Sequence, residues 1–247
     1  MNTWLKRGII GIFILCSCLL ILQMKPKSDV VTEDVQQGLS YIQKQEKQDV
    51  TKVQKEVTKA QKKLERPKKK KGTYQERYQH SVIIGDSIAE ACLDYRILTA
   101  SVDLAVRGKR TDNSIDEAHQ AIALAPEHVF ICLGMNDLIF VRGNEKQFIA
   151  QYKELIQVLK KGLPDAKIYV NSILPMTDVG YKQTKHNKKD KVFNREIEKM
   201  CEEMDLVYID NDEIIEPDPK NYEADGIHPT YPFYPMWLDY MASFANI

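Results

Sequence analysis

Two different rhythms of apolar and polar residues divide the chain near residue 80. Beyond it, short β-rich apolar runs alternate with amphipathic stretches. Ser81–Gly85, Ser101–Val106, His128–Leu133, Lys167–Ile173 and Leu206–Ile209 have the length and content of buried strands. Between them Ile88–Leu98, Asn113–Ala123, Glu145–Lys161 and Lys191–Met204 carry helical spacing, and Pro235–Ala245 is expected to be a last helix. Five strands separated mostly by helices predict an α/β fold with a five-stranded parallel sheet, covered on both faces and joined by right-handed crossovers. Ligands of such sheets bind outside the carboxyl ends of the strands, so the residues just after each apolar run are the ones to inspect.

The first part has a different pattern. Ile9–Leu22 is almost wholly apolar and follows Lys6 and Arg7. With Trp4, Leu5, Gln23 and Met24 it reaches the ~20 residues that cross a hydrocarbon core. The expectation is an uncleaved signal anchor within residues 1–28, a single-pass membrane helix with the rest of the chain extracytoplasmic. Lys25 and Lys27 blunt the charge asymmetry that would set this orientation. Two alternatives stay open. A cleaved signal peptide of a secreted protein needs small residues before the cut, and Ile21-Leu22-Gln23-Met24 supplies none. A lipoprotein signal is suggested by Leu15-Cys16-Ser17-Cys18, with Cys18 acylated, although Leu19–Leu22 stays apolar after it. Residues 29–74 form the second segment, a polar helical stalk and Lys-rich linker. Val50, Val53, Val57, Ala60 and Leu64 fall on one helical stripe, too short for a firm coiled coil. Pro67 ends the helix, and Lys68–Lys71 reads as a solvated linker that could also touch anionic wall polymer or lipid. Residues 75–247 are the third segment, the α/β domain.

Composition narrows the function of that domain. The 247 residues carry 35 basic and 35 acidic side chains, but residues 1–80 hold 17 basic and 8 acidic and residues 81–247 hold 18 and 27. An acidic folded part is a poor match for a phosphate backbone, which argues against nucleic acid as a partner. The five cysteines make no disulfide framework, and the chain contains no CxxC or HExxH spacing, so neither a zinc site nor another metal or cofactor is expected.

The strand ends carry an ordered set of residues. Gly85-Asp86-Ser87 follows the first run, Arg107-Gly108 the second and Gly134-Met135-Asn136-Asp137 the third. Asp225-Gly226-Ile227-His228 stands near the end of the chain. A serine hydroxyl attacks a carbonyl only when a base takes its proton, and His228 is the candidate base, with Asp225 three residues earlier to hold its ring in one tautomer. On these motifs the segment resembles the SGNH (GDSL-type) hydrolases, serine esterases and acyl-transfer enzymes. Ile88 stands where the family commonly has Leu, a conservative departure. The resemblance implies a flavodoxin-like three-layer sandwich over about residues 80–247. It implies a Ser87–His228–Asp225 triad and an oxyanion hole made by the backbone N–H groups of Ser87 and Gly108 and the Asn136 side chain. A nucleophile elbow of α/β-hydrolase type at Gly85–Ala89 is the second reading, but that class places several strands before its serine.

Each motif has a plainer explanation taken singly. Ser87 could cap a helix, and Asn136-Asp137 and Asp225-Gly226 could be turns. Four such coincidences at one sheet edge favour chemistry. Asp116-Glu117 and Asp210–Glu213 offer paired carboxylates, but a helix surface and a turn explain them. His80, His119, His128 and His186 lack partners in sequence, and Cys132 reads as a buried thiol. Arg107, beside Lys109 and Arg110, is a candidate to steer an anionic substrate. Met135 and Tyr231 are further candidates to touch substrate, whereas Phe233, Tyr234 and Trp237 read mostly as core. Met176–Asp190 is a lid or a solvated loop.

No long apolar insertion suggests a lipase lid, so a small acyl ester is expected. With a surface anchor, this points to O-acylated, chiefly O-acetylated, cell-wall or extracellular glycans. Hydrolysis and transfer of the acyl group to a glycan hydroxyl, with a membrane acyltransferase as partner, both fit. A non-catalytic glycan- or partner-binding module is the alternative of another class.

Overall fold

The apolar runs assemble into one parallel sheet, ordered β1-β2-β3-β4 and made of β1 (Ser81–Gly85), β2 (His128–Cys132), β3 (Lys167–Asn171) and β4 (Val207–Ile209). The computed structural model describes residues 72–184 and 187–247, together with the exposed helical positions Ser40, Tyr41, Lys44, Val50, Val53 and Gln54. The expected anchor in residues 1–28, with Cys16 and Cys18, lies outside the described residues, as do Val57, Ala60, Leu64, Pro67, Lys68–Lys71, Lys185 and His186. Among the described residues no helix is long and apolar enough to cross a membrane. The sheet belongs to the compact unit Arg66–Ile247.

Short helices and crossovers frame the sheet. In chain order they are α1 (Tyr74–Arg77), α2 (Ser87–Asp94), α3 (Ile115–Leu124), α4 (Met135–Phe140), α5 (Glu145–Gly162), α6 (Asp178–Gln183), α7 (Asp190–Glu203) and α8 (Phe233–Ala245). Asn144 caps α5 by accepting from the Gln147 N–H at 3.2 Å, and Lys160 and Lys161 sit in its last turn, where the helix dipole favours cations. Its buried stripe of Phe148, Tyr152, Leu155, Ile156 and Leu159 follows the helical repeat. α3, α5 and α7 pack in a row. α8 lies against the face of the sheet that carries Tyr169 and Asn171, where the Trp237 indole donates to Asn171 and Asn211. All five residues of β1 are buried, as a strand covered on both faces must be.

The expected fifth strand is not one. Ser101–Val106 runs beside β1 but forms a single bridge, Ile83 with Asp103, supported by Ile83 N–H to Val102 O and Leu104 N–H to Ile83 O, both 2.8 Å. One feature shortens it at its start and another closes its outer edge. The chain enters through a turn in which the N–H groups of Val102 and Asp103 both reach Thr99 O. The buried Asp103 carboxylate then bends back to accept the Ala105 N–H at 2.9 Å, which satisfies a donor on the open edge of the sheet. The sheet therefore has four strands, with this segment flanking β1 on its far side. β1 thus lies between the segment, which it reaches through α2, and β2, which is reached through α3. That reversal of direction is a topological switch point, where open α/β sheets bind ligands.

Candidate active site

β1 ends in Gly85, and the next residue decides where the serine goes. The Asp86 side chain accepts the Ile88 N–H at 3.0 Å and is the N-cap of α2. Ser87 is thus the first residue of the helix, not its cap, and its hydroxyl is free for another partner. The N–H groups of a first helical turn have no intrahelical acceptor and lie at the positive end of the helix dipole. The turn fits tightly against the sheet. A Cβ at Gly85 would stand 2.5 Å from Ala89 Cβ and 3.2 Å from Cys132 O.

The Ser87 hydroxyl lies 2.9 Å from His228 Nε2, and His228 Nδ1 lies 2.6 Å from Asp225 Oδ2. The second Asp225 oxygen accepts the backbone N–H groups of Ile227 at 2.8 Å and His228 at 3.0 Å. Burial pushes the Asp225 carboxyl up, but these three hydrogen bonds and the imidazole outweigh it and hold the group below its ordinary value. An ionised Asp225 can only accept, so the proton on Nδ1 faces it and Nε2 is left to accept from Ser87. Both side chains of the loop are 37% exposed, and Ser87 is half-buried beside them.

Gly108 closes a turn in which the Lys109 N–H donates to Val106 O at 3.1 Å. Its φ of +81° is what demands glycine, for a Cβ there would meet nothing within 4 Å. Gly134, with φ of +129°, is needed for both reasons, since a Cβ would fall 2.6 Å from Ile173. It starts α4 and sets Asn136 on its first turn. The Asn136 side-chain N–H₂ donates one bond, of 3.0 Å, to Lys109 O. Asp137 is fully buried and accepts from the Thr111 hydroxyl at 2.6 Å and the Thr111 N–H at 3.1 Å, so the third motif is tied to the loop that carries Gly108. Burial raises the carboxyl of Asp137 to about 6 and that of Asp86 to about 7.

The expected substrate contacts fare unequally. Arg107 is exposed, but its guanidinium is paired with Glu90 at 3.1 Å and Asp94 at 3.3 Å. Arg110 pairs with Asp112 and lies over the Phe140 ring, and Lys109 pairs with Glu117. The basic cluster is locally neutralised. Met135 is buried and, with Asp86, Ile88, Cys132, Ile173 and Trp237, lines a cavity of about 20 Å³, the size of one water. Tyr231 is 50% exposed and stands edge-on to Tyr95, whereas Phe233, Tyr234 and Trp237 are core. Cys132 lies at the end of β2, and burial pushes its thiol well up.

Sequence reasoning missed what supports the Asp225–His228 loop. The Thr177 N–H donates to Gly226 O at 3.0 Å, and the Gln183 side chain donates to Asp225 O at 3.2 Å. A Cβ at Gly180 would come within 2.6 Å of Gly226 O. Helix α6, in the stretch read as a lid or a loop, is packed under the histidine loop. Its one sequence signal is Gly180 inside a polar helical stretch.

Comparison with known proteins places this arrangement. No curated protein matches the chain. Its fold resembles a GDSL-like lipase from Bacteroides thetaiotaomicron (TM-score 0.56, 17% identity, covering 70% of this chain and 91% of that one). It also resembles a carbohydrate esterase of family 3 from Talaromyces cellulolyticus (0.52, 14%, 67% and 95%) and a lipase/acylhydrolase from Enterococcus faecalis (0.52, 16%, 66% and 93%). At these identities the likeness is one of fold. Residues 83–234, more than half of the chain, match the GDSL-like lipase/acylhydrolase family. That stretch runs from the middle of β1 into α8 and takes in all four strand-end motifs, and the chain therefore belongs to this family of ester-hydrolysing enzymes.

Proposed function

We propose that the protein is a membrane-anchored, extracytoplasmic serine esterase that removes small acyl groups, chiefly acetyl, from cell-wall or extracellular glycans. The observation that carries the chemistry is the hydrogen-bonded chain Asp225–His228–Ser87, with 2.6 Å and 2.9 Å links. Ser87 Oγ attacks the ester carbonyl carbon while His228 Nε2 takes the hydroxyl proton. Asp225 stabilises the imidazolium that results. Negative charge gathers on the carbonyl oxygen and is met by the Ser87 and Gly108 N–H groups and by Asn136. Collapse breaks the bond to the alcohol, which leaves with the proton from His228. Water, activated by the same imidazole, then cleaves the acyl-serine.

The address and substrate rest on other support. The apolar Ile9–Leu22 run behind Lys6 and Arg7 favours an anchor, and the fold is shared with a carbohydrate esterase. The purified chain, assayed on a small acetyl ester, should lose cleavage on Ser87→Ala with its unfolding midpoint unchanged. An organophosphonate should label Ser87 in the wild type alone. Full activity of Ser87→Ala would sink the serine mechanism, and absence of labelling would favour a binding module. An added glycan acceptor separates hydrolysis from transfer: acetylated acceptor marks transfer, and free acetate marks hydrolysis.

A further inference from the structure

The loop that presents Gly108 is the most exposed part of the proposed oxyanion hole, with Val106, Arg107 and Gly108 all open to solvent. Its outer ion pairs, from Arg107 to Glu90 and Asp94, hang on an Arg107 side chain that is 70% exposed and hold little. The inner pair is different. Lys109 Nζ lies 2.7 Å from Glu117 Oε1, with the two side chains 20% and 7% exposed, and also donates to Asn113 O at 2.9 Å. Glu117 projects from α3, and its second carboxylate oxygen is buried without a hydrogen-bond partner among the described residues. Burying such an oxygen costs stability, and an apolar side chain at 117 would not incur that cost.

Lys109 has two further contacts, both through its backbone. Its N–H closes the turn that holds Gly108 in its left-handed conformation. Its carbonyl takes one of the two Asn136 side-chain N–H bonds, which leaves the other directed elsewhere. One residue therefore sets the position of two of the three proposed oxyanion donors, and its side chain is held by a carboxylate on another element. We propose that Lys109 and Glu117 are positioning residues that hold the oxyanion donors in register with Ser87. This inference rests on the esterase reading and deepens it.

The test uses Lys109→Met, which removes the strut and leaves the carbonyl in place, and Glu117→Gln. In both, kcat on a small acetyl ester is expected to fall about tenfold or more with KM within about twofold, because only the transition state is misplaced. Affinity for a trifluoromethyl ketone, which forms an oxyanion adduct on the serine, should fall by the same factor. Lys109→Arg, whose guanidinium can still donate to both Glu117 and Asn113 O, should keep most of kcat, which a general packing defect would not allow. Should Glu117→Gln fail to fold, Lys109→Met and Lys109→Arg carry the test. Wild-type kcat and ketone affinity in folded Lys109→Met would overturn the proposal, as would a folded Lys109→Arg chain as impaired as Lys109→Met. A wild-type chain inert to esters and to phosphonate would instead overturn the esterase reading, and this inference with it.

Discussion

Arg107 illustrates how little a side chain's charge says until its neighbours are known. In the sequence it stands next to the glycine of a proposed oxyanion hole; in the fold Glu90 and Asp94 occupy its guanidinium. Arg107→Ala is therefore expected to change kcat/KM by less than about threefold, and equally for neutral and anionic acetyl esters, as measured at low and high salt. Asn136 is the opposite case. With one N–H engaged by Lys109 O, its amide has a defined orientation, and Asn136→Ala should lower kcat by about 100-fold or more. Ser87, Asn136, Asp225 and His228 were legible because each lies in a short motif whose residue types the chemistry requires. Lys109 and Glu117 were not, because their pairing joins a loop to a helix eight positions further on, and nothing in either segment announces it.

At the scale of elements, the sheet and its long helices were legible for the same physical reason: continuous apolar runs have few places to go but a two-sided sheet, and the α5 stripe repeats at helical spacing. Ser101–Val106 misled because its composition is that of a strand while it meets β1 through a single bridge and its start is taken up by the Thr99 turn. α4 was hidden inside a motif read for its chemistry, and α6 was hidden in a polar stretch. The join of β1 to α2 gives the clearest element-level prediction. Gly85→Ala places a methyl 2.5 Å from Ala89 and should push α2 away from the sheet. The expected loss is about 1–3 kcal/mol of stability by denaturant unfolding, together with a fall in kcat, since Ser87 is the first residue of the displaced helix.

Among the described residues of the whole molecule, four buried carboxyls, Asp86, Asp103, Asp137 and Asp190, are raised and shape the response to pH. Burial first, against their hydrogen bonds, raises Asp86 and Asp103 to about 7 and Asp137 to about 6, from an ordinary 3.8. A carboxyl that holds its proton more tightly when folded favours the native state at low pH. That advantage is lost as pH rises from about 4 through the folded value. Each group therefore costs the native state about 1.4 kcal/mol per pH unit within its window. Thermal midpoints should fall between about pH 4 and pH 7 and level off above. Asp86→Asn, which keeps an oxygen for the Ile88 cap, should flatten the slope, and an unchanged slope would exclude Asp86 as a source. Asp225 acts in the opposite sense and only at lower pH, because its folded value lies below the ordinary one.

The two halves of the proposed reactive centre are held by unequal means. The hydroxyl is rooted in the most deeply covered strand of the sheet, while the imidazole rides on a turn whose footing is a six-residue helix and a few hydrogen bonds to the carbonyls of Gly226 and Asp225. On warming, the imidazole should part from the hydroxyl well before the sheet melts. Hydrogen exchange at Thr177, Ile227 and His228 would then quicken while β1 stays protected. Heat would silence the enzyme long before it unfolds, and cooling would restore it.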